Sequence, residues 1–218
     1  MKKITGIYPG TFDPITKGHL DIIRRAVLTV DKLVIAVAKD ITKDSLFTQE
    51  ERVKIVKRDV ETEIKDKKTE IIVLPFKGLL VEFIKKQKAQ LIIRGIRTGS
   101  DFEYEFIMAA MNRKLYSKIE TIFLPALEET QFISSSFVKQ ICQLGGDIAP
   151  FVSKNVVKEL KKVFWSRFIS LPGTIIVEQF YFALSTYVAS VVLTTILSSL
   201  VTNGGTITLA PFSKIAGL

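Results

Sequence analysis

The chain's one histidine, His19, closes the run Gly10-Thr11-Phe12-Asp13-Pro14-Ile15-Thr16-Lys17-Gly18-His19, directly after an apolar run and at the start of a stretch of helical period. A strand that enters a glycine-containing turn and then a helix aims backbone N–H groups, and the positive end of the helix dipole, at one small space. That space suits a phosphate. An imidazole placed there can donate a hydrogen bond to a phosphoryl oxygen, and neighbouring anions would favour its protonated form. Gly, Asp and Pro also mark ordinary turns, and a single histidine is commonly structural, so spacing alone leaves both readings open.

Other groups could act at the same place. Arg94-Gly95-Ile96-Arg97 leaves an apolar run and precedes Asp101-Phe102-Glu103-Tyr104-Glu105. Two guanidinium forks there suit phosphate oxygens, although an arginine pair is more often a surface ion-pair partner. Ile133-Ser134-Ser135-Ser136, with Lys139 after it, opens another helical stretch. One serine suffices to cap a helix, and the rest leave hydroxyls for an anion. Lys43 would bring a flexible ammonium on a loop, where most lysines are simply solvated.

These groups need a scaffold. β-Branched apolar runs at residues 4–8, 33–38, 70–74, 90–93 and 121–124 alternate with helical periods at 18–29, from Thr48 onward, and at 79–88, 101–115, 135–144 and 154–164. Strand then helix, repeated, predicts an α/β fold: a doubly wound parallel five-stranded sheet with helices on both faces. Leu20, Ile23 and Val27 share one side of the first helix, and Leu79 and Leu80 read as helix core. Thr48 with Glu51 three places on predicts a capping box. Ligands of such sheets collect beyond the carboxyl ends of the strands, where all the groups above fall.

Composition narrows the partners. A chain of 218 residues, 47% hydrophobic and 24% charged, supports one well-buried core plus an appendage. A net charge of +9 suits polyanions, but the basic residues are dispersed among acidic ones, and no aromatic-interleaved basic strand argues for nucleic acid. Cys142, read as a small buried apolar residue, excludes a disulfide framework or multi-cysteine zinc site by being the single cysteine. No signal peptide is read at Met1-Lys2-Lys3-Ile4-Thr5.

Tyr8-Pro9-Gly10-Thr11-Phe12-Asp13-Pro14 followed by Thr16-Lys17-Gly18-His19 resembles the signature of the bacterial phosphopantetheine adenylyltransferase family. That family belongs to the nucleotidyltransferase superfamily with a His-x-Gly-His or Thr-x-Gly-His element. Arg94-Gly95-Ile96-Arg97, Asp101–Glu105 and Ile133–Ser136 match further blocks, in order, over about residues 3–164. The resemblance implies a Rossmann-like nucleotidyltransferase fold that transfers the adenylyl group of ATP to 4′-phosphopantetheine, giving dephospho-coenzyme A and pyrophosphate. It implies His19 as the catalytic group on the α-phosphate. Thr11, Lys43, Leu80 and Arg94 would hold 4′-phosphopantetheine. Thr11, Phe12, His19, Gly95, Ile96, Arg97, Glu105, Thr130, Gln131, Phe132, Ile133, Ser134, Ser135 and Ser136 would hold ATP. Arg97, Ser135 and Ser136 fall at the pyrophosphate end, and Glu105 helps to fix the nucleotide. Mg²⁺ is expected to arrive on the triphosphate without a protein ligand. The resemblance implies a cytoplasmic enzyme and, since relatives assemble as hexamers, a homo-oligomer.

The departure from the family is residues 165–218, an apolar extension beyond the enzymatic part, 1–164. From Gln179 to Ser213 no residue is charged. Residues 180–201 could cross a bilayer as one helix, with Lys158, Lys161, Lys162 and Arg167 on the cytoplasmic side. Seven Ser or Thr residues in that stretch equally suit a buried hairpin or an apolar tail against another subunit, or a tail without function. The competing functions are adenylyl transfer to nicotinamide mononucleotide, nucleic-acid binding on a retained fold, and a membrane-anchored scaffold.

Overall fold

Among the described residues five strands and six helices follow in the order β1 (Thr5–Gly10), α1 (Lys17–Ala26), β2 (Lys32–Ala38), α2 (Gln49–Glu63), β3 (Glu70–Phe76), α3 (Leu80–Gln87), β4 (Leu91–Ile96), α4 (Gly99–Leu115), β5 (Glu120–Pro125), α5 (Ser135–Gln143) and α6 (Lys154–Ile169). The computed structural model describes residues 3–39, 45–65 and 68–169, the last five by backbone only. Contacts divide the chain into two units, Met1–Phe164 and Trp165–Leu218, and the sheet belongs to the first. Lys43 and the 180–201 stretch lie outside the described residues. Among the described residues no helix is long and apolar enough to cross a membrane.

All strands are parallel, in the order β3-β2-β1-β4-β5. The sheet is covered on both faces because successive side chains of a strand point to opposite sides. Ile7, Val34, Ala36 and Ile92 pack with Ile84 of α3. Tyr8, Leu33, Ile35, Val37 and Ile93 pack with Leu20 and Ile23 of α1, Val56 of α2 and Leu160 of α6. Each fully buried aliphatic side chain contributes about 1.5–3 kcal/mol by leaving water.

The helices begin where polar caps permit. Thr16, Thr48, Thr98 and Ser134 accept hydrogen bonds from N–H groups in the first turns of α1, α2, α4 and α5, and Thr48 with Glu51 forms the expected capping box. Two readings need correction. Leu79, expected in the helix core, precedes α3 as its N-cap and is 64% exposed. Cys142 is only partly buried against the core, where burial pushes its thiol up. None of the 17 residues of α4 is buried, and β5 beside it is half-exposed or exposed throughout.

The chain runs outward from β1 through β2 to β3, then returns to β4 beside β1. Loops leaving β1 and β4 therefore diverge to opposite faces, and a crevice opens between them at the carboxyl edge.

Candidate active site

β1 ends at Gly10, and the turn after it is packed around one aromatic ring. A Cβ on Gly10 would lie 2.8 Å from Phe12 Cζ, so no larger residue fits beneath that ring. Phe12 takes φ 50°, the left-handed region that a non-glycine residue rarely adopts. Its ring is 2% exposed and meets Tyr8 and His19 edge to face, with centroids 5.5 and 5.1 Å away. The sequence carries no sign of this wedge beyond the aromatic itself.

Thr16 caps α1, and its backbone N–H donates to His19 Nδ1 at 3.0 Å. An amide can only donate, so Nδ1 is the acceptor and the imidazole proton sits on Nε2. Burial first, and then the Arg97 and Arg94 guanidiniums, push the pKa of His19 down to about 4. His19 is therefore neutral near neutral pH, with a fixed Nε2–H donor. This refines the expected cationic ring: in the ligand-free protein the neighbouring charges are positive. One first-turn donor is also taken, since the Lys17 N–H bonds Phe151 O at 2.9 Å.

From the far side of the crevice come the arginines. Gly95 lets α1 approach β4, since a Cβ there would lie 2.9 Å from Ile22 Cγ1. Arg94 gives Nη1 to Pro9 O at 2.7 Å and turns Nε and Nη2 onto both carboxylate oxygens of Glu105. Glu105, expected at the nucleotide, holds Arg94 in this state. Arg97 is more exposed and bonds Asp101 at 2.9 Å. Ile96 accepts from the Ala126 N–H and so leads toward the segment after β5.

That segment lies against α1. A Cβ on Gly18 would stand 3.4 Å from Thr130 O and 3.9 Å from Ile133 O. Ile133 is buried, whereas Gln131 and Phe132 are exposed. The three serines divide their tasks. Ser134 is the cap of α5, Ser135 Oγ donates to Pro14 O at 2.7 Å, and Ser136 is exposed.

A cleft of about 310 Å³ opens at the carboxyl edge, lined by Gly10, Thr11, Leu80, Arg94, Tyr104, Glu105 and Met108 among others. Thr11, Leu80, Arg94 and Glu105 thus meet around one cleft, while His19, Arg97 and the serines stand outside its lining, toward α1 and α5. Electrostatics joins the two halves, because Arg94 and Arg97 both act on His19.

Sequence reasoning gave no role to two supporting residues. Asp13, 6% exposed, accepts from the Leu46 and Phe47 N–H groups at 2.9 and 3.0 Å and from Lys139 Nζ at 2.7 Å. Arg52, 2% exposed, donates to the carbonyls of Thr11, Ala38 and Phe47. Their partners lie up to 126 residues away, and no local pattern reports such contacts. Among the described residues no group of three or more His, Cys, Asp or Glu side chains could hold a metal. Asp13, Asp101 and Glu105 face Lys139, Arg97 and Arg94 instead. Among the described residues these carboxylates offer no protein cage for a divalent cation.

A cytidylyltransferase-like family model matches residues 7–141. The phosphopantetheine adenylyltransferase of Wolbachia pipientis subsp. Culex pipiens is 56% identical over 155 residues, spanning 71% of this chain and 90% of that protein. The enzyme of that name from Rhodospirillum centenum is 52% identical over 164 residues, spanning 75% and 89%. Among solved structures, Plasmodium falciparum nicotinic acid mononucleotide adenylyltransferase complexed with NaAD superposes with a TM-score of 0.58 over 74% of this chain and 96% of that one. Its 18% identity speaks for the fold alone.

Proposed function

Because the chain belongs to the phosphopantetheine adenylyltransferase family, within the cytidylyltransferase-like proteins, we propose that it transfers the adenylyl group of ATP to 4′-phosphopantetheine in coenzyme A biosynthesis. The observation that carries this reading is an imidazole oriented by the Thr16 N–H, within the field of Arg94 and Arg97, beside a cleft at the carboxyl edge of the sheet. Residues 1–164 form the enzymatic part, and the apolar extension 165–218 lies beyond it and is assigned no role.

An oxygen of the acceptor phosphate attacks the α-phosphorus of ATP as the bond to the β-phosphate oxygen breaks and pyrophosphate leaves. The nucleophile is already ionised, so no strong general base is needed. What the protein must supply is in-line placement of two polyanions and a donor where charge gathers. His19 Nε2–H serves an α-phosphate oxygen. Arg94, with Lys43 and Thr11, receives the acceptor phosphate, and Leu80 lines the path of the pantetheine arm. Arg94 must then divide its fork between Glu105 and the incoming anion. Arg97, Ser135 and Ser136 face the departing pyrophosphate, with Thr130–Ile133, Phe12, Gly95 and Ile96 around the nucleotide. Mg²⁺ bound to the triphosphate would screen its charge.

A second copy of the chain suits the exposed α4 face, where Phe102, Phe106, Ile107, Met111 and Leu115 are each at least 45% exposed. We place the reaction in the cytoplasm, and membrane attachment forms no part of the proposal. The test mixes protein, ATP, Mg²⁺ and 4′-phosphopantetheine and follows pyrophosphate release, with nicotinamide mononucleotide as competing acceptor. Release with the first acceptor and formation of dephospho-coenzyme A are expected. Faster release with nicotinamide mononucleotide sinks the assignment.

A further inference from the structure

The first turn of α2 carries two side chains, Gln49 and Arg52, at the i, i+3 spacing that places them on one face. Both reach backbone carbonyls at the carboxyl edge of the sheet. Gln49 Nε2 donates to Val37 O at 2.8 Å and Phe76 O at 2.9 Å, joining the ends of β2 and β3. Arg52 Nη1 donates to Thr11 O at 2.5 Å and Ala38 O at 2.8 Å, and its Nε to Phe47 O at 3.2 Å.

The three carbonyls on Arg52 have distinct places in the chain. Thr11 begins the turn that leads to His19. Ala38 ends β2, and Phe47 precedes α2, so these two bracket the segment that contains Lys43. Asp13 holds the same region by the opposite polarity, accepting the Leu46 and Phe47 N–H groups. The Phe47 residue is thereby gripped through its N–H by the motif turn and through its C=O by α2. A planar guanidinium suits this task because its donors diverge in fixed directions, which an ammonium cannot reproduce.

We infer that Arg52 is a positioning residue that sets Thr11, the end of β2 and the entry to α2 against one another, and so fixes Thr11 on the acceptor-phosphate side of the cleft. The inference rests on the proposed adenylyl transfer to 4′-phosphopantetheine. Arg52 is 2% exposed and gives its donors to backbone carbonyls, so it acts through them. Its effect travels through the backbone of Thr11, whereas Arg97, Ser135 and Ser136 depend on other elements.

The test compares wild type with Arg52→Lys and Arg52→Met by steady-state kinetics with each substrate varied, alongside thermal melting and amide hydrogen exchange. Misplacement of catalytic groups by even an ångström can cost up to about 100-fold. Arg52→Lys keeps the charge and is expected to melt below wild type but above Arg52→Met, raise KM for 4′-phosphopantetheine about tenfold and leave KM for ATP within about twofold. Arg52→Met should show the larger acceptor effect. Exchange of the Leu46 and Phe47 amides should quicken by about tenfold in both variants. A lower melting temperature with both KM values unchanged would show a merely structural role and overturn the inference. Unchanged exchange at Leu46 and Phe47 would overturn it too, and that readout needs no substrate. If wild type fails to use 4′-phosphopantetheine, the proposed function falls separately, and the exchange data still decide whether Arg52 holds the segment.

Discussion

Acidification should destabilise this protein through His19 in a way that can be isolated, because the chain has no other histidine. The ring's pKa lies at about 4 in the folded protein against an ordinary 6.5, the largest cause being burial and the next Arg97 and Arg94. Between those values the unfolded chain binds a proton that the folded one refuses. Stability from the neutral ring is thus fully present above about pH 6.5 and lost as pH falls toward about 4. Linkage gives a loss of about 1.4 kcal/mol at about pH 5.5 and about 2.6 kcal/mol at about pH 4.5, upper values for a ring that keeps some contact with water. The assay is urea unfolding of wild type and His19→Gln at about pH 7.5, 5.5 and 4.5. Taking the difference between the two proteins at each pH removes the carboxylates common to both. Nuclear magnetic resonance of the single imidazole reads the same quantity directly. A titration at 6.5 or above in the ligand-free protein, or a stability difference that does not change with pH, refutes the neutral-donor argument.

The remaining outcomes rest on the same contacts. His19→Ala should lower kcat by about 100-fold or more with KM for ATP little changed, because its donor matters most as charge gathers on the α-phosphate; steady-state kinetics with ATP varied checks this. Gly10→Ala forces a methyl against the Phe12 ring and should cost about 1–3 kcal/mol in urea unfolding, with activity falling as His19 loses its neighbour. Lys139→Met removes the ammonium from a nearly buried Asp13 and should cost about 2 kcal/mol, measured the same way at neutral pH. Arg97→Gln breaks only an exposed pair with Asp101, so thermal melting should barely move, while the imidazole titration shifts upward as a repelling cation is lost.

The architecture was legible because it is written in local periods. Alternating apolar runs separated by helical stretches demand a covered parallel sheet, and Thr48 with Glu51 announces a helix start without any distant partner. His19, Arg94, Arg97 and Ser134–Ser136 could be named for a related reason: each leaves the carboxyl end of a strand or enters the first turn of a helix, and topology carries such positions to one edge. Leu79 was misjudged because a leucine at a helix boundary has the same local pattern whether or not another element covers it. α4 shows the same gap, since its own period does not reveal that no element among the described residues covers Phe102 and Phe106.

What tertiary structure alone decided is which polar group meets which. Glu105 clasps Arg94 across a helix and a strand, Ser135 bonds the carbonyl of Pro14, Asp13 reaches Phe47 and Lys139, and Arg52 gathers Thr11, Ala38 and Phe47. The state of His19 belongs here as well. Sequence supplies an imidazole near a helix start, but its proton is placed by the Thr16 N–H and its charge removed by burial and two arginines arriving from β4. Hydrophobic patterning is periodic and so repeats along the chain where it can be read. Hydrogen bonds and ion pairs are directional contacts between single atoms, and partners distant in sequence acquire their geometry only when the chain has folded.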